Sequence, residues 1–184
     1  AQAYWQGIFR LAPDEALIVE FDAHDGFWMV SLGGAFMNSL DYLYRPVSYT
    51  PARTRVDSDG KVRLILAHQA PGYHNWLDTQ GFAAGNLTYR NLMSSTTATF
   101  RTRLLRHADL DAALPGDSAR VSANERVAGM RARFDAIRQR YGAEAESVHF
   151  RAFDTICSAT QDRQDAVVAM LDQRQLDAMI VIGG

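Results

Sequence analysis

The sequence predicts a mainly β protein, an antiparallel β-sandwich or jelly roll with a C-terminal amphipathic helix, followed by a truncated β-α-β segment. Short β-type runs separated by turn residues recur between residues 16 and 106. An apolar stripe with helical spacing follows them, and near the end comes a continuous apolar run of the kind buried in parallel sheets. We therefore expect a sandwich domain at 1–141, a joint at 142–149 and an incomplete α/β segment at 150–184.

Two hairpins are predicted in the first half of the chain. In the first, the β-type runs 16–21 and 27–32 flank an Asp-Gly turn, which is a strong local hairpin signal. In the second, residues 53–56 and 61–66 flank the turn sequence Asp-Ser-Asp-Gly. We expect each pair of runs to lie side by side in one antiparallel sheet.

The remaining predicted strands surround a long polar loop. Apolar and polar residues alternate along 61–66, which predicts an antiparallel sheet with one solvated side. A polar loop spans 69–85, and the alternation resumes at 85–92 and again at 99–105. Strands at this spacing with turns between them are typical of sandwiches and jelly rolls.

A helix is predicted next. Ser122 and Glu125 have the spacing of a capping box, and Gly142 is well placed to end the helix. Between them, apolar residues recur at steps of three and four, with arginines on the other faces: Val127, Met130, Phe134, Ile137 and Tyr141. We expect this helix to pack on the sandwich or on a partner.

The C-terminal part predicts a different architecture. Residues 148–156 predict a strand, 160–173 a helix and 178–182 a second, fully buried strand. One β-α-β unit cannot cover both faces of its sheet, so we expect the chain to be cut there. The start at Ala1, without an initiator Met, indicates a processed chain or a fragment.

Composition limits the classes of function. The formal net charge is -2 and arginines alternate with acidic residues, which argues against nucleic acid as a partner. No apolar run approaches the length that crosses a bilayer, so no membrane partner is expected. The single cysteine excludes an internal disulfide framework and favours a reducing, cytoplasmic location. The sequence does not indicate an oligomeric state.

Three phrases in the first part of the chain carry a family resemblance. They lie at 11–17, at 38–42 and, most specifically, at Asn75-Trp76-Leu77-Asp78-Thr79. On these phrases, residues 4–141 resemble a bacterial domain of unknown function, family twelve-fourteen. The resemblance implies a β-sandwich and no settled activity.

A second resemblance lies in the tail. The motif from Thr155 through Cys157 to Ala166, with the strand and Gly-Gly after it, resembles the last cysteine motif of hydroxymethylbutenyl diphosphate reductase, the LytB-type enzyme of isoprenoid synthesis. In that family the cysteine holds one iron of a four-iron four-sulfur cluster, and the cluster reductively removes the substrate hydroxyl. The resemblance implies that Cys157 is a cluster ligand and that the nearby polar residues bind substrate: Thr155, Thr160, Arg163 and Gln164.

The cysteine count bears on that implication. A cluster is held by several thiolates, whereas this chain has one. We therefore expect no cofactor in this chain, and a cluster only in a complete reductase. A gene fusion, a reading-frame error or an artificial junction would each join two such pieces.

The 69–85 loop contains the other candidate site residues. His74 with Asp78, and with His68 before the loop, could supply a metal site or a general base. The alternative is a hydrogen-bonded loop in which Asn75 and Asp78 satisfy backbone groups and Trp76 fills the core. We favour the alternative, because a metal site needs three converging ligands.

Three hypotheses of function follow from these residues. The leading one is a non-catalytic accessory domain that binds a small molecule or a protein partner through the 69–85 loop. The second is a reductase fragment, inactive by itself, and the third is a metal-dependent or hydrolytic site in that loop. The sequence identifies no catalytic residue and leaves open whether the chain is an enzyme; the resemblance of the tail implies an iron–sulfur oxidoreductase.

Overall fold

The computed structural model describes residues 2–92, 96 and 98–141, and the chain divides into two compact units, Ala1–Ile137 and Arg138–Gly184. Eight strands and two helices are described: β1 Gln2–Arg10, β2 Glu15–Asp22, β3 Phe27–Gly34, β4 Ser48–Tyr49, β5 Lys61–Ala67, β6 Trp76–Asp78, β7 Ala84–Leu92, β8 Arg101–Arg106, α1 Leu110–Ala113 and α2 Ala123–Tyr141. Short 3₁₀ turns lie at Pro51–Arg53 and His107–Asp109. The predicted β-α-β tail lies outside the described residues.

The strands form two four-stranded sheets. The first has the order β1-β7-β3-β4 with every pair antiparallel, and the second has the order β6-β5-β2-β8 with only β5 and β6 parallel. Strands of both sheets contribute to one hydrophobic core, which therefore lies between the sheets. The prediction of a mainly β sandwich is confirmed.

The core is built from alternate residues of each strand, as the pleat requires. Along β7 the buried positions alternate with half-buried ones, so that Leu87 and Tyr89 point inward. Phe21 of the second sheet meets Trp28 and Tyr89 of the first edge to face, at centroid distances of 5.0 and 5.8 Å. Each such ring stabilises the fold by roughly 1.5–3 kcal/mol through burial alone.

The first predicted hairpin is wrong, although both of its strands form. β2 pairs with β5 and β8, whereas β3 pairs with β4 and β7, so the two strands lie in opposite sheets. The connection is fastened to both sheets: Ala23 N donates to Gly60 O (2.9 Å) beside β5, and His24 Nε2 lies 2.8 Å from Tyr89 Oη on β7. This crossing lets both strands turn their apolar residues toward the same core.

The second predicted hairpin forms only at its turn. Asp57 N donates to Lys61 O, and Gly60 takes a φ of 77°, which favours glycine. Upstream of the turn only a single bridge, between Val56 and Val62, replaces the predicted strand. The reason is that the side-chain amide of Asn75 bonds both backbone groups of Arg55, which are then not free to pair with a strand. Oδ1 accepts from Arg55 N at 2.9 Å, and Nδ2 donates to Arg55 O at 2.7 Å.

The predicted solvated side of the second sheet is also wrong at β5. Ile65 faces away from the main core, yet it is only 2% exposed. It belongs to a second apolar cluster that α1 covers, together with Ala16, Ile18, Ala67, Tyr73, Trp76, Leu110 and Leu114. The short helix after β8 therefore gives this sheet two buried faces.

The helix prediction is confirmed where α2 begins. Ser122 N and Ser122 Oγ both donate to Glu125 Oε2, at 2.8 and 2.7 Å, and Glu125 N donates to Ser122 Oγ at 3.3 Å. This reciprocal arrangement is a capping box. Among the described residues, no helix combines the length and apolar character needed to span a membrane.

Candidate functional site

The 69–85 loop contains a short buried strand, β6, that the sequence did not predict. Its residues Trp76, Leu77 and Asp78 are all buried, and it runs parallel to β5 at the edge of the second sheet. Trp76 Nε1 donates to Ala67 O at 3.0 Å, which satisfies the indole while its ring remains in apolar surroundings. Leu77 joins the core between the sheets.

Asn75 binds backbone on two neighbouring segments. Besides its two bonds to Arg55, its Nδ2 donates to Arg63 O at 3.1 Å. A side-chain amide has two donors and one acceptor group, and all are used here. Asn75 therefore joins the segment before the 57–60 turn to β5.

The two histidines of the predicted site have different surroundings. His68 lies with Nδ1 2.6 Å from Thr79 Oγ1 and Nε2 3.3 Å from Leu11 O. His74 lies with Nδ1 3.1 Å from Asn75 Oδ1, and burial lowers its pKa below the ordinary 6.5, helped by the arginines Arg55, Arg126 and Arg53. No three His, Cys, Asp or Glu side chains of the described residues converge as a metal site would require.

Asp78 is the buried carboxylate of this region. Its side chain is 2% exposed, and it pairs at 3.0 Å with Arg45, whose side chain is 56% exposed. Its second oxygen accepts from Gln80 N at 2.8 Å, and Asp78 N donates to Pro46 O at 3.0 Å. These bonds fasten the 43–46 segment to β6.

A cleft of about 480 Å³ lies between α2 and the 43–46 segment; we call it the α2 cleft. Tyr44 and Phe134 stack across it with centroids 5.4 Å apart. The Arg126 guanidinium lies 4.8 Å over the Trp76 ring and donates to Tyr73 O at 2.5 Å. The whole lining is Leu43, Tyr44, Arg45, Pro46, Trp76, Asp78, Arg126, Val127, Met130, Arg131, Phe134 and Asp135.

The α2 cleft combines predicted and unpredicted residues. The helix stripe predicted from the sequence supplies Val127, Met130 and Phe134, and the 69–85 loop supplies Trp76 and Asp78. Sequence reasoning missed Arg45, which has no motif around it. It also assigned Arg126 to a solvated face, although the step of four to Met130 places Arg126 beside the stripe.

The site residues expected in the tail lie outside the described residues: Cys157, Thr155, Thr160, Arg163 and Gln164. Their predicted roles stay predictions.

Comparison with known proteins identifies the character of the C-terminal part. The model of the LytB protein family matches residues 113–184. The 4-hydroxy-3-methylbut-2-enyl diphosphate reductases of Nostoc sp. and Thermosynechococcus vestitus are 54% and 50% identical over 46 residues, covering 25% of this chain and 11% of each enzyme. The chain therefore carries a LytB-like fragment that spans about a tenth of the length of these curated relatives.

A solved structure is also similar to this chain. The crystal structure of an uncharacterized protein from Burkholderia cenocepacia is 35% identical, with a TM-score of 0.56, and the likeness covers 58% of this chain and 30% of that one. The resemblance to family twelve-fourteen and the domain boundaries stay predictions. The LytB family match begins 37 residues before Phe150, the predicted start, and includes α2.

Proposed function

We propose that the β-sandwich is a non-catalytic accessory module that binds a small, largely apolar ligand in the α2 cleft. The observation that carries the proposal is the composition of that cleft. Its volume of about 480 Å³ lies within the roughly 300–1,000 Å³ typical of small-molecule sites. Seven of its twelve lining residues are apolar or aromatic, and the other five are charged side chains that could orient a ligand.

The polar groups suggest an anionic or aromatic ligand. Arg45 is neutralised by Asp78, whereas no described carboxylate lies within ion-pair distance of Arg126. Arg126 already covers the face of Trp76, so an aromatic ligand could extend the same stack. A cytoplasmic location, favoured by the single cysteine, is part of the proposal.

Anilinonaphthalene sulfonate is a suitable probe, because it joins an aromatic body to one negative charge. We expect saturable binding of one molecule per chain, measured by fluorescence on the full chain. Val127→Glu, within the cleft, should weaken binding about tenfold by placing a carboxylate beside the sulfonate. Circular dichroism would verify that the variant keeps its strands.

Leu104 provides the matched control. Val127 and Leu104 are 53% and 54% exposed, but Leu104 lies on β8 and does not line the cleft. Leu104→Glu should leave the affinity unchanged. Equal losses in both variants would mean that the probe binds apolar surface in general, and the proposed site would be abandoned.

We also propose a second function, that residues 113–184 are one piece of a 4-hydroxy-3-methylbut-2-enyl diphosphate reductase. The family match and the 54% identity support this reading. Cys157 would then hold one iron of the cluster, with Thr155, Thr160, Arg163 and Gln164 toward the substrate. The one cysteine of this chain does not fit a complete cluster site, so the other thiolates would belong to a longer chain or to a partner.

Anaerobic reconstitution with iron and sulfide separates the two functions. An accessory module should show no cluster absorbance, and Cys157→Ser should behave like the unaltered chain. A stable brown product with one cubane per chain, lost in Cys157→Ser, would favour the reductase. The gene offers a second readout, since a reading frame that continues past Gly184 into an Asn-Ser-Ser-Asn stretch would support a reductase piece.

A further inference from the structure

Arg133 has a buried nitrogen that no other described group satisfies. Its Nη1 is inaccessible to solvent and has no hydrogen-bond partner among the described residues. A buried, unpaired donor on a charged group is costly, so native structures usually complete it with a protein group, an ordered water or a bound ion. Arg133 lies seven residues after Arg126, and the two therefore share one face of α2.

A third arginine, Arg53, belongs to the sandwich rather than to α2. The Arg53 guanidinium lies 5.7 Å from the centroid of the Tyr49 ring, at the end of the 3₁₀ turn after β4. Tyr49 Oη donates to His74 O at 2.5 Å, and the His74 ring lies 6.3 Å from the Tyr49 ring. Arg126, which donates to Tyr73 O, also lies beside Tyr49.

These three arginines lack carboxylate partners. Among the described residues, neither Arg53, Arg126 nor Arg133 takes part in an ion pair. Of the nearby acids, Asp78 is paired with Arg45, and Asp41 Oδ1 accepts from the backbone of Leu43 and Tyr44. Desolvation lowers the pKa of both Arg126 and Arg133, and for Arg133 the Arg53 charge adds to this effect.

We propose that Arg53 and Arg126, beside Tyr49, and Arg133, seven residues further along the same face of α2, bind a phosphate-class oxyanion. Guanidinium groups present planar forks of donors that match phosphate oxygens, and a tetrahedral dianion offers acceptors to more than one fork. A carboxylate has only two oxygens and a single charge. The site is distinct from the walls of the α2 cleft except for Arg126, and it does not depend on a ligand in that cleft.

The test measures binding of inorganic phosphate to the full chain by phosphorus NMR line broadening. Sodium chloride keeps the ionic strength constant, and acetate serves as a competing monoanion. We expect saturable phosphate binding that acetate does not displace at equal concentration. Arg133→Gln should weaken binding roughly tenfold, as expected for the loss of a charge-assisted hydrogen bond. Arg53→Gln is a second variant on a different element, in case the first disturbs α2.

Arg10→Gln is the matched control, because it removes the same charge from an exposed position on β1, at the opposite edge of the first sheet from β4 and Tyr49, and should leave phosphate affinity unchanged. Absence of saturable phosphate binding would overturn the inference, and so would equal displacement by acetate or equal losses in all three variants. Arg53 and Arg133 do not line the α2 cleft. If the unaltered chain binds phosphate but not the dye, the α2 cleft proposal alone would therefore be rejected.

Discussion

Arg63 and a group of three arginines lie against this sandwich, and they differ in what surrounds them. Arg63, on β5, bonds three carboxylates: Glu20 at 2.8 Å, Asp57 at 2.5 Å and Asp59 at 2.6 Å. Arg53, Arg126 and Arg133 form no ion pair with any described carboxylate. The charge of Arg63 is neutralised by carboxylates of the chain, whereas the charges of the three other arginines are not neutralised by any described carboxylate.

The electrostatic consequences run in opposite directions. Hydrogen bonds that Arg63 donates to Asp59 and Asp57 raise the pKa of Arg63, despite its partial burial. Desolvation lowers the pKa of Arg126 and Arg133, because no close anion compensates for it. The difference indicates that Arg63 stabilises the fold, whereas the other group is better suited to an external anion.

Arg63→Met tests the structural side of the comparison and should have the largest effect. It leaves three carboxylates without their cation, and the side chain of Asp57 is only 5% exposed. We expect the free energy of unfolding to fall by about 3 kcal/mol, at the lower end for a broken buried pair because Asp59 is exposed. Urea denaturation measures it. Lys61→Met, which removes a pair with the exposed Asp22, should cost much less than Arg63→Met.

Asn75→Ala tests whether a neutral side chain with several hydrogen bonds can stabilise the fold nearly as much as Arg63 does. It removes two donors and one acceptor from partly buried hydrogen bonds to the backbone of Arg55 and Arg63. A loss of about 2–3 kcal/mol in the free energy of unfolding is expected. Asn86→Ala, which removes one bond to Gly34 O, should cost about 1 kcal/mol. Similar losses in both variants would argue against the bridging role of Asn75.

Arg133→Met should change the free energy of unfolding in the opposite direction. The substitution removes a guanidinium with an unsatisfied buried nitrogen and keeps a flexible apolar side chain of similar length. In phosphate-free buffer we expect the free energy of unfolding to rise by about 1 kcal/mol. Added phosphate should then stabilise the unaltered chain more than the variant. A marked destabilisation without phosphate would place Arg133 in the same class as Arg63.

Much of the fold could be predicted, but the strand pairing could not. Local patterns predicted β2, β3, β5, β7 and β8 and the capping box, because period and turn chemistry are local properties. β1, β4 and β6 were missed, and β2 was paired with the wrong strand. Pairing depends on which residues share the core, and β1 finds its partner β7 about eighty residues later.

The candidate site was predictable to a smaller extent. The helix stripe and the Asn-Trp-Leu-Asp phrase were found because each is a local pattern. The roles of Arg45 and Arg133 come from elements that meet only in the folded chain. The local sequence around a helical arginine does not distinguish a solvated position from one that lies against the sandwich.

The last and smallest effect concerns His74, whose ring lies 6.3 Å from the ring of Tyr49. Its folded pKa is lowered below 6.5, first by burial and then by Arg55, Arg126 and Arg53. The folded state therefore binds fewer protons than the unfolded state below that pH. Its contribution to stability is complete above about pH 6.5 and is lost as the pH falls through the folded pKa.

His74→Gln should flatten this part of the stability curve between neutral and mildly acidic pH. Phosphate sharpens the comparison, because an anion among the arginines would offset their charge and raise the His74 pKa. Proton NMR of the imidazole with and without phosphate measures the shift directly. An unchanged His74 pKa at saturating phosphate would mean that the anion binds elsewhere, and the three arginines would lose their proposed role.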